Sequence, residues 1–349
     1  MNELLVQKAA AQFGNEPAEV KTLGSGLIHH TYCVHYKNSP ALVLQAINKN
    51  TFTRPENIIQ NYRIIQDYLH SIHSNHAIAA MVSTKSGHYF WEDEADNFWR
   101  ATLFIENSYA PENASSPAQA QSAANCFASF TQQLSALDTD KLFEIIPDFH
   151  NLAYRYQQFE NAIKEAAIFR LMRATHVISE LRNRHYLVDF YNRITSDAAF
   201  KKRVMHHDCK PGNILFDAAT HQAICPVDLD TVMPGYFFSD IGDMIRTMAC
   251  THPENSNEWE YITVNDAFYK AITNGYLQGV KDSFTDEEVK HIHKAGLLMT
   301  YMQCLRFTTD FLNNDIYYKT TYPEQNLNRA LNQLIYLEQL EIYTASLTP

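Results

Sequence analysis

The stretch of residues 204–216 constrains the fold of this chain more than any other. An apolar run leads into His206 and Asp208, a Pro-Gly turn follows, and Asn213 precedes a second apolar run. Fifteen residues beyond Asn213, a further apolar run ends at Asp228. Short β-type runs separated by turn residues predict strands joined by tight connections. We therefore expect a loop bearing carboxylates between short strands in the second half of the chain.

The spacing of these polar residues suits phosphoryl transfer from ATP. In that chemistry one aspartate orients the acceptor hydroxyl and takes its proton, while an asparagine and a second aspartate hold Mg²⁺ on the phosphates. Asp208 fits the base, and Asn213 and Asp228 fit the metal ligands. Lys210 either neutralises charge on the γ-phosphate or is an ordinary surface lysine. Asp and Asn are also common turn residues, so a purely structural loop is the alternative.

The same segment resembles the catalytic loop of the aminoglycoside phosphotransferase and choline kinase superfamily. It is closer still to the N-acetylhexosamine 1-kinase family of sugar kinases. The further blocks that are similar to that family are residues 24–32, 146–151, 228–235 and 306–315. The resemblance implies an α+β, protein-kinase-like bilobal fold, with a small antiparallel-sheet N-terminal lobe and a larger, mostly helical C-terminal lobe. ATP and Mg²⁺ are the implied cofactors.

The periodicity of the chain agrees with that architecture. A short amphipathic helix is predicted at 3–13, and strand-like runs follow at 19–23, 31–36, 41–47, 79–83, 87–92 and 98–105. A stretch rich in Ala, Pro, Ser and Asn at 109–118 suits a boundary, so we predict an N-terminal nucleotide-binding lobe at 1–108 and a C-terminal catalytic and substrate-binding lobe at 109–349. The helices predicted in the second lobe are 117–137, 152–173, 175–196, 235–250, 257–279, 285–312 and 325–344.

Residues that would bind the nucleotide lie in the first lobe. The loop Gly24-Ser25-Gly26 either lets backbone N–H groups approach phosphates or simply turns a hairpin. The resemblance places a hinge at the boundary between the lobes, where the backbone would bind adenine, and Phe104 and Glu106 are its predicted nucleotide residues. A plain loop is the alternative. Gln45 stands where the third strand should carry a phosphate-binding lysine, and the following helix lacks the partner glutamate in its interior. Either the kinase is inactive, or Gln45 hydrogen-bonds the phosphate while Mg²⁺ carries the charge.

Candidate substrate residues are distributed more widely. Arg306 and Tyr317 suit a hexose, because a guanidinium donates to hydroxyls and an aromatic ring covers an apolar sugar face. Arg306 could equally form a helical ion pair with Asp310, four residues on. The other residues proposed to line this pocket, with Asp208, are His30, His150 and Asn151. Asp230 is a candidate substrate contact as well, with a second metal ligand and an ordinary turn residue as the alternatives.

Four nearby residues are assigned structural roles instead. His206 is expected to brace the loop backbone, and the resemblance implies that Asp240 ties its helix to the catalytic loop. Arg246 and Asp243 are spaced as an ordinary ion pair on a helix surface.

Composition excludes several classes of function. The formal charge of −11 argues against nucleic acid or an anionic membrane surface as a partner. No uncharged apolar run approaches the roughly 20 residues that span a bilayer, and the first residues do not have the pattern of a signal peptide. Six cysteines without a Cys-x-x-Cys pair favour reduced thiols. We expect a cytoplasmic protein, and the sequence leaves its oligomeric state open.

The leading hypothesis is an enzyme that transfers the γ-phosphate of ATP to a sugar hydroxyl. If the resemblance extends to the substrate, the acceptor is the anomeric hydroxyl of GlcNAc or GalNAc, and the product is a sugar 1-phosphate. The alternatives are another small alcohol, such as choline, homoserine or an aminoglycoside, and a catalytically silent nucleotide-binding relative. A protein kinase is disfavoured, because no Ala-Pro-Glu follows Asp228 and the interval to Asp240 is too short for an activation segment.

Overall fold

The computed structural model describes residues 2–24, 28–74 and 77–347. The strands are β1 (Glu19–Thr22), β2 (His30–His35), β3 (Leu42–Ile47), β4 (Met81–Val82), β5 (Trp91–Glu92), β6 (Phe98–Leu103), β7 (Ser108–Tyr109), β8 (Arg203–Met205), β9 (Ile214–Asp217), β10 (Ala223–Pro226) and β11 (Met233–Gly235). The helices are α1 (Glu3–Phe13), α2 (Pro55–Ser71), α3 (Pro117–Gln133), α4 (Leu152–Glu165), α5 (Ile168–Asn183), α6 (Tyr186–Ser196), α7 (Phe238–Met248), α8 (Asp266–Val280), α9 (Asp286–Lys290), α10 (Lys294–Leu312) and α11 (Gln325–Leu347).

The chain forms two compact units. The first contains Met1–Ala110, Ala136–Pro147 and Ile214–Pro234, and the second contains Pro111–Ser135, Asp148–Asn213 and Gly235–Pro349. The first unit therefore includes two segments from later in the chain, 136–147 and 214–234. The lobe bounds 1–108 and 109–349 remain a prediction.

An antiparallel sheet organises the first unit. Its strands lie in the order β1-β2-β3-β6-β4, and β5 also pairs with β6. Helix α1 covers one apolar cluster of this sheet, in which Val6, Ala10 and Phe13 are buried together with Val34 and Trp99. The strands predicted at 19–23, 31–36 and 41–47 are confirmed as β1, β2 and β3, and they pair in antiparallel order.

Helix α2 belongs to the same unit and begins at Pro55, where the fixed φ of proline suits the first turn of a helix. Its apolar residues recur every three or four positions, and those that are buried include Ile58, Tyr62 and Ile65. This spacing is that of a helix with one face packed against its unit.

Helices build the second unit. Helix α10 is buried over most of its length and packs against α4, α7 and α11, while α3 packs against α8. The predicted α+β class, with an antiparallel sheet in the N-terminal part and helices in the C-terminal part, is confirmed. Within the described ranges, no helix combines the length and apolar composition needed to cross a membrane.

Several helix predictions were wrong in their boundaries. The span 152–196 forms three helices rather than two, because the chain is extended at Ala166 and Ala167 and the helix is interrupted again at Arg184 and His185. The single helix predicted at 285–312 is divided into α9 and α10. These interruptions occur within runs that have helical periodicity.

Candidate active site

The loop after β8 holds Asp208 in a defined position. Asn213, at the end of a single 3₁₀ turn, donates from Nδ2 to Asp208 Oδ2 at 2.8 Å and to its backbone oxygen at 2.9 Å. Lys210 Nζ lies 2.9 Å from the same Oδ2. The Asp208 side chain is 33% exposed, so it can contact a bound molecule. The structure therefore brings together the predicted base, the predicted cation and one predicted metal ligand.

The surroundings of Asp208 keep it ionised. Burial opposes the charged form, but the neighbouring Lys210 ammonium, together with the hydrogen bonds from Lys210 and Asn213, outweighs burial and lowers the pKa of Asp208. A carboxylate that is ionised at neutral pH can accept the proton of an attacking hydroxyl.

Helix α7 anchors the backbone of this loop. The Asp240 carboxylate accepts hydrogen bonds from the backbone N–H of His206 at 3.0 Å and of His207 at 2.9 Å. Asp243 accepts one from the N–H of Cys209 at 2.9 Å. Carboxylates in the first turns of a helix can satisfy N–H groups of a neighbouring loop in this way. The predicted tie between Asp240 and the loop is confirmed.

The pair of Asp243 and Arg246 was predicted to lie on a helix surface, and that prediction was wrong. Both side chains are largely buried, and Arg246 also bonds Glu254 at 3.0 Å. Burial raises the pKa of Asp243, although the charge of Arg246 opposes this rise. The pair therefore supports α7 from inside the second unit.

The residues next to Asp208 have unusual geometry. His207 has a φ of 67°, a backbone conformation that residues other than glycine rarely adopt. Its Nδ1 forms a hydrogen bond with the backbone oxygen of Met205 at 3.1 Å. His206 is fully buried, and the N–H of Asp208 points to its Nδ1 at 3.4 Å. The predicted bracing role of His206 agrees with this contact.

A group of aromatic and cationic side chains adjoins the loop in the second unit. The His150 ring lies 4.6 Å from that of Phe149 and 5.0 Å from that of His207. The Arg306 guanidinium lies 5.5 Å from the Phe149 ring and 5.7 Å from the Tyr317 ring. Tyr317 itself is 68% exposed. The structure thus brings together three of the predicted substrate residues: His150, Arg306 and Tyr317.

Two arginines give this group its charge. Arg306 Nη1 donates to Gln303 at 3.3 Å, and Arg155 Nη2 donates to the backbone oxygen of Phe149 at 3.2 Å. In the part of the chain that the structure describes, no carboxylate lies within ion-pair distance of either guanidinium. Arg155 was not predicted as a site residue, since nothing in its local sequence distinguishes it from a helix-surface arginine.

The helical ion pair between Arg306 and Asp310 is not formed. Asp310 instead accepts hydrogen bonds from the backbone N–H of Tyr317 at 2.8 Å and of Tyr318 at 2.9 Å. Asn326 Nδ2 also donates to Asp310 at 2.9 Å. Asp310 therefore shapes the segment that carries Tyr317 and does not pair with Arg306.

Two other predicted substrate residues have local structural roles or lie elsewhere. Asn151 caps α4 by accepting from the N–H of Tyr154 at 3.1 Å, and it donates to Asp148 at 2.7 Å. An asparagine before a helix could have been recognised as a cap from sequence alone. His30 is exposed, belongs to the first unit and pairs with Ala46 in the sheet.

In the first unit, Asp228 and Asp230 lie at the turn after β10. Asp228 adopts the left-handed conformation, with a φ of 59°, which aspartate tolerates better than most residues. Asp230 is 2% exposed and accepts a hydrogen bond from His29 Nε2 at 2.7 Å. The Arg100 guanidinium forms an ion pair with its other oxygen. Burial disfavours ionisation of Asp230, but the charge of Arg100 prevails and lowers its pKa to about 2.

These residues offer oxygen ligands for a cation. Ligand atoms of His29, Asp228 and Asp230 lie within 4.8 Å of one another. His29 is a poor candidate, because its Nδ1 accepts from the N–H of Asn48 at 3.0 Å and its Nε2 must then donate to Asp230. Both oxygens of Asp230 already have partners. Asp228 also offers carboxylate oxygens, the type of ligand that the hard cation Mg²⁺ prefers.

The predicted nucleotide residues also belong to the first unit. Gly24 has a φ of 69°, in the left-handed region that favours glycine, whereas Ser25 and Gly26 lie outside the described residues. Gln45 Oε1 accepts from Nε and Nη2 of Arg100 at 3.0 and 2.9 Å. Sequence reasoning missed Arg100, although a lone arginine within the apolar strand β6 was a visible signal.

The two predicted hinge residues lie just after β6. The N–H of Phe104 donates to the oxygen of Ala41 at 2.9 Å, and Glu106 is exposed before β7. The nucleotide-binding role of Phe104 and Glu106 stays a prediction.

Comparison with known proteins gives the same fold. The aminoglycoside phosphotransferase of Alicyclobacillus acidocaldarius has a TM-score of 0.64 at 15% identity, over 98% of this chain and 94% of that chain. An amicoumacin kinase, solved with AMP-PNP and Ca²⁺, has a TM-score of 0.64 at 14% identity, over 96% and 93%. A spectinomycin phosphotransferase, solved with ADP and spectinomycin, has a TM-score of 0.61 at 13% identity, over 97% and 99%.

A family model gives the more specific result. The model described as the phosphotransferase enzyme family, APH, matches residues 19–283, which is most of the chain and includes both Asp208 and Asp228. Sugar kinases of the N-acetylhexosamine type are not distinguished by these comparisons. The chain belongs to the APH family of phosphotransferase enzymes.

Proposed function

We propose that this protein transfers the γ-phosphate of ATP to the anomeric hydroxyl of an N-acetylhexosamine, GlcNAc or GalNAc, giving a sugar 1-phosphate. The observation that carries the reaction type is the environment of Asp208. Its carboxylate is held by Asn213 at 2.8 Å and by Lys210 at 2.9 Å. That arrangement presents an ionised, oriented oxygen to an acceptor hydroxyl.

The chemistry then follows from the residues of the chain. Asp208 accepts the proton of the acceptor hydroxyl while the oxygen of that hydroxyl forms a bond to the γ-phosphorus of ATP. The bond between the γ-phosphorus and the β–γ bridging oxygen breaks, and ADP leaves. Lys210 offsets the negative charge on the transferring group. Asn213 and Asp228 are the proposed ligands of Mg²⁺, which when bound neutralises charge on the phosphates.

The nucleotide is proposed to use the loop at Gly24, Ser25 and Gly26 and the hinge at Phe104 and Glu106. Family membership supports this assignment, and the similar amicoumacin kinase was solved with AMP-PNP. The contacts of Gln45 suggest a different role for that residue. Its Oε1 accepts hydrogen bonds from Arg100, and its Nε2 donates to Thr31 at 3.2 Å. Both polar atoms of its side chain therefore already have partners within the first unit.

The charge of the proposed acceptor pocket favours a sugar over a cationic alcohol. Arg155 and Arg306 flank Phe149 and His150, and no carboxylate of the described chain pairs with either arginine. A quaternary ammonium or an aminoglycoside would be repelled there, since like charges in a partly buried site raise the free energy of binding. Sugar hydroxyls accept hydrogen bonds from guanidinium, and the exposed Tyr317 ring offers a face to a pyranose.

Steady-state turnover with ATP and Mg²⁺ against a panel of acceptors tests this function. The panel contains GlcNAc, GalNAc, glucose, galactose, choline, homoserine and kanamycin. Asp208→Asn removes the base with little change in shape, and Asp189→Asn, at an exposed position of α6, is the matched control. Turnover with an N-acetylhexosamine that is lost only in Asp208→Asn supports the proposal, and NMR of the product then locates the phosphate.

Two other results would change the assignment. Turnover only with choline, homoserine or kanamycin would retain the phosphotransferase mechanism and remove the sugar. Binding of ATP without turnover of any acceptor would indicate a catalytically silent relative.

A further inference from the structure

Arg100 is an arginine buried at the centre of a sheet. It lies on β6 directly opposite Gln45 of β3, and its side chain is 2% exposed. Nε and Nη2 both donate to Gln45 Oε1, at 3.0 and 2.9 Å, and Nη1 forms an ion pair with Asp230. A guanidinium is retained in such a position only when its charge and N–H groups are matched. Here Asp230 supplies the charge and Gln45 supplies the remaining acceptor.

Asp230 is held from two sides. Arg100 contacts Oδ1, and His29 Nε2 donates to Oδ2 at 2.7 Å. The His29 ring is fixed in turn by the N–H of Asn48, which donates to Nδ1 at 3.0 Å. The Asp230 side chain therefore has little freedom, and neither does the short turn Leu229–Thr231 to which it belongs.

The other end of this turn is fixed by helix α2. The N–H of Val232 donates to the oxygen of Leu229 at 3.1 Å, and the Val232 oxygen accepts from Asn61 Nδ2 at 3.1 Å. Asn61 is buried in α2 and also bonds the backbone of Phe143, on both its N–H and its oxygen, at 2.8 Å. Asn61 thus connects the helix to the turn without a charged side chain.

Asp228 comes immediately before this turn, in the left-handed conformation. Its backbone continues directly into the turn that the contacts of Asp230 and Val232 hold in place. In protein kinases, a lysine on the third strand and a glutamate on the following helix form the ion pair of this region. In this chain β3 carries Gln45, and α2 carries Gln60 and Asn61 in its interior rather than a glutamate. The buried ion pair described here is that of Arg100 with Asp230.

We propose that Arg100 is a positioning residue, which acts through Asp230 to hold the Asp228 carboxylate in the orientation needed to bind a divalent cation. This inference rests on the proposed function, because it takes Asp228 as a metal ligand. Residues behind a metal ligand orient it, and their loss typically lowers metal affinity about 10–100-fold. Gln45 completes the pair and does not contact a phosphate.

Calorimetric titration with Mn²⁺ in the presence of AMP-PNP tests the proposal without turnover. Arg100→Gln is expected to weaken Mn²⁺ binding about 10–100-fold. Arg100→Lys, which keeps the charge, is expected to fall between Arg100→Gln and the wild type. The matched control is Arg203→Gln, which breaks another buried pair, with Glu288, in the second unit. The control should lose thermal stability and keep Mn²⁺ affinity within about twofold of the wild type.

A second variant is needed, because Arg100→Gln removes the ion-pair partner of the buried Asp230 and so destabilises the fold. The double variant Arg100→Gln, Asp230→Asn removes both buried charges and is expected to fold, since neutral pairs of similar size are tolerated in cores. Weakened Mn²⁺ binding in this folded variant would support the proposal, and affinity equal to the wild type would overturn it. Absence of Mn²⁺–AMP-PNP binding by the wild type would overturn the proposed function and this inference together.

Discussion

A Cβ atom on Gly235 would lie 2.4 Å from Nε2 of His207, the residue that precedes the proposed base. The ring cannot move away easily, because Nδ1 is bonded to the oxygen of Met205 at 3.1 Å. The close approach of this glycine therefore sets the position of His207. His207 already has a φ of 67°, so the loop has few alternative conformations.

We expect Gly235→Ala to displace the His207–Asp208 segment. A shift of about 1 Å in a catalytic group costs on the order of 10²-fold in rate, so kcat should fall by about that factor while KM for ATP changes little. Initial rates with the best acceptor measure the effect. Gly275→Ala is the control, because its Cβ would lie equally close, 2.4 Å from the Gln121 oxygen, in helix α8. A normal kcat in Gly235→Ala would contradict the expected role of this contact.

Asn213 has two functions in the proposed mechanism. Its amide nitrogen orients Asp208, and its oxygen is a proposed ligand of the metal. Asn213→Ala should therefore lower kcat about 10²-fold and raise the Mg²⁺ concentration for half-maximal rate about 10–100-fold. Mg²⁺ titrations at saturating ATP separate the two effects.

Asn332 provides the matched control for this substitution. It is a buried asparagine whose amide donates to the backbone oxygens of Pro253 and Ser256, both at 3.1 Å. Asn332→Ala should reduce thermal stability without changing the Mg²⁺ dependence. An Mg²⁺ dependence unchanged in Asn213→Ala as well would remove Asn213 from the metal site.

The loop around Asp208 could be predicted from sequence because its chemistry is local. Asp208, Lys210 and Asn213 lie within six residues, so their contacts follow from one turn of chain. The ion pair of Arg100 and Asp230 joins residues 130 positions apart. The apolar neighbours of Arg100 indicate a buried strand, but no local pattern identifies the distant carboxylate that pairs with it.

Helix boundaries also depend on contacts between residues that are far apart in the sequence. Alanine has the highest helix propensity, yet Ala166 and Ala167 are extended and separate α4 from α5. Arg170, just after the break, bonds Asp315 at 2.8 Å and the backbone of Phe311. Distant contacts of this kind can override a propensity that is worth less than about 1 kcal/mol per residue.

Arg306 should control affinity for the acceptor. Its guanidinium has no carboxylate partner among the described residues and lies 5.7 Å from the exposed Tyr317 ring. Arg306→Gln should raise KM for the N-acetylhexosamine about 10–100-fold, since a hydrogen bond involving a charged group contributes about 1.5–3 kcal/mol, and KM for ATP should change little. Arg173→Gln is the control, because Arg173 is exposed and pairs with Glu324 at 2.9 Å. Equal effects on both KM values would show that Arg306 does not act on the acceptor specifically.

His150 should make the stability of the protein sensitive to acid. Burial holds its pKa well below the usual 6.5, and the neighbouring His207 and the guanidinium groups of Arg306, Arg155 and Arg246 lower it further. Its Nδ1 has no hydrogen-bond partner in the described part of the chain. None of these four neighbours is a carboxylate, so none of them would stabilise a protonated His150.

The sign of this effect follows from proton linkage. Above pH 6.5, His150 is neutral in both the folded and the unfolded protein, so the free energy of unfolding does not depend on it. Below that pH the unfolded protein binds a proton that the native protein does not. Stability should then fall as the pH decreases, by up to about 1.4 kcal/mol per pH unit from this group. His150→Gln should flatten the pH dependence between pH 6.5 and the depressed native pKa by about that amount. Urea unfolding at a series of pH values measures it, with His185→Gln, at an exposed position, as the control. Identical slopes in the wild type and His150→Gln would show that His150 takes up its proton in the native protein.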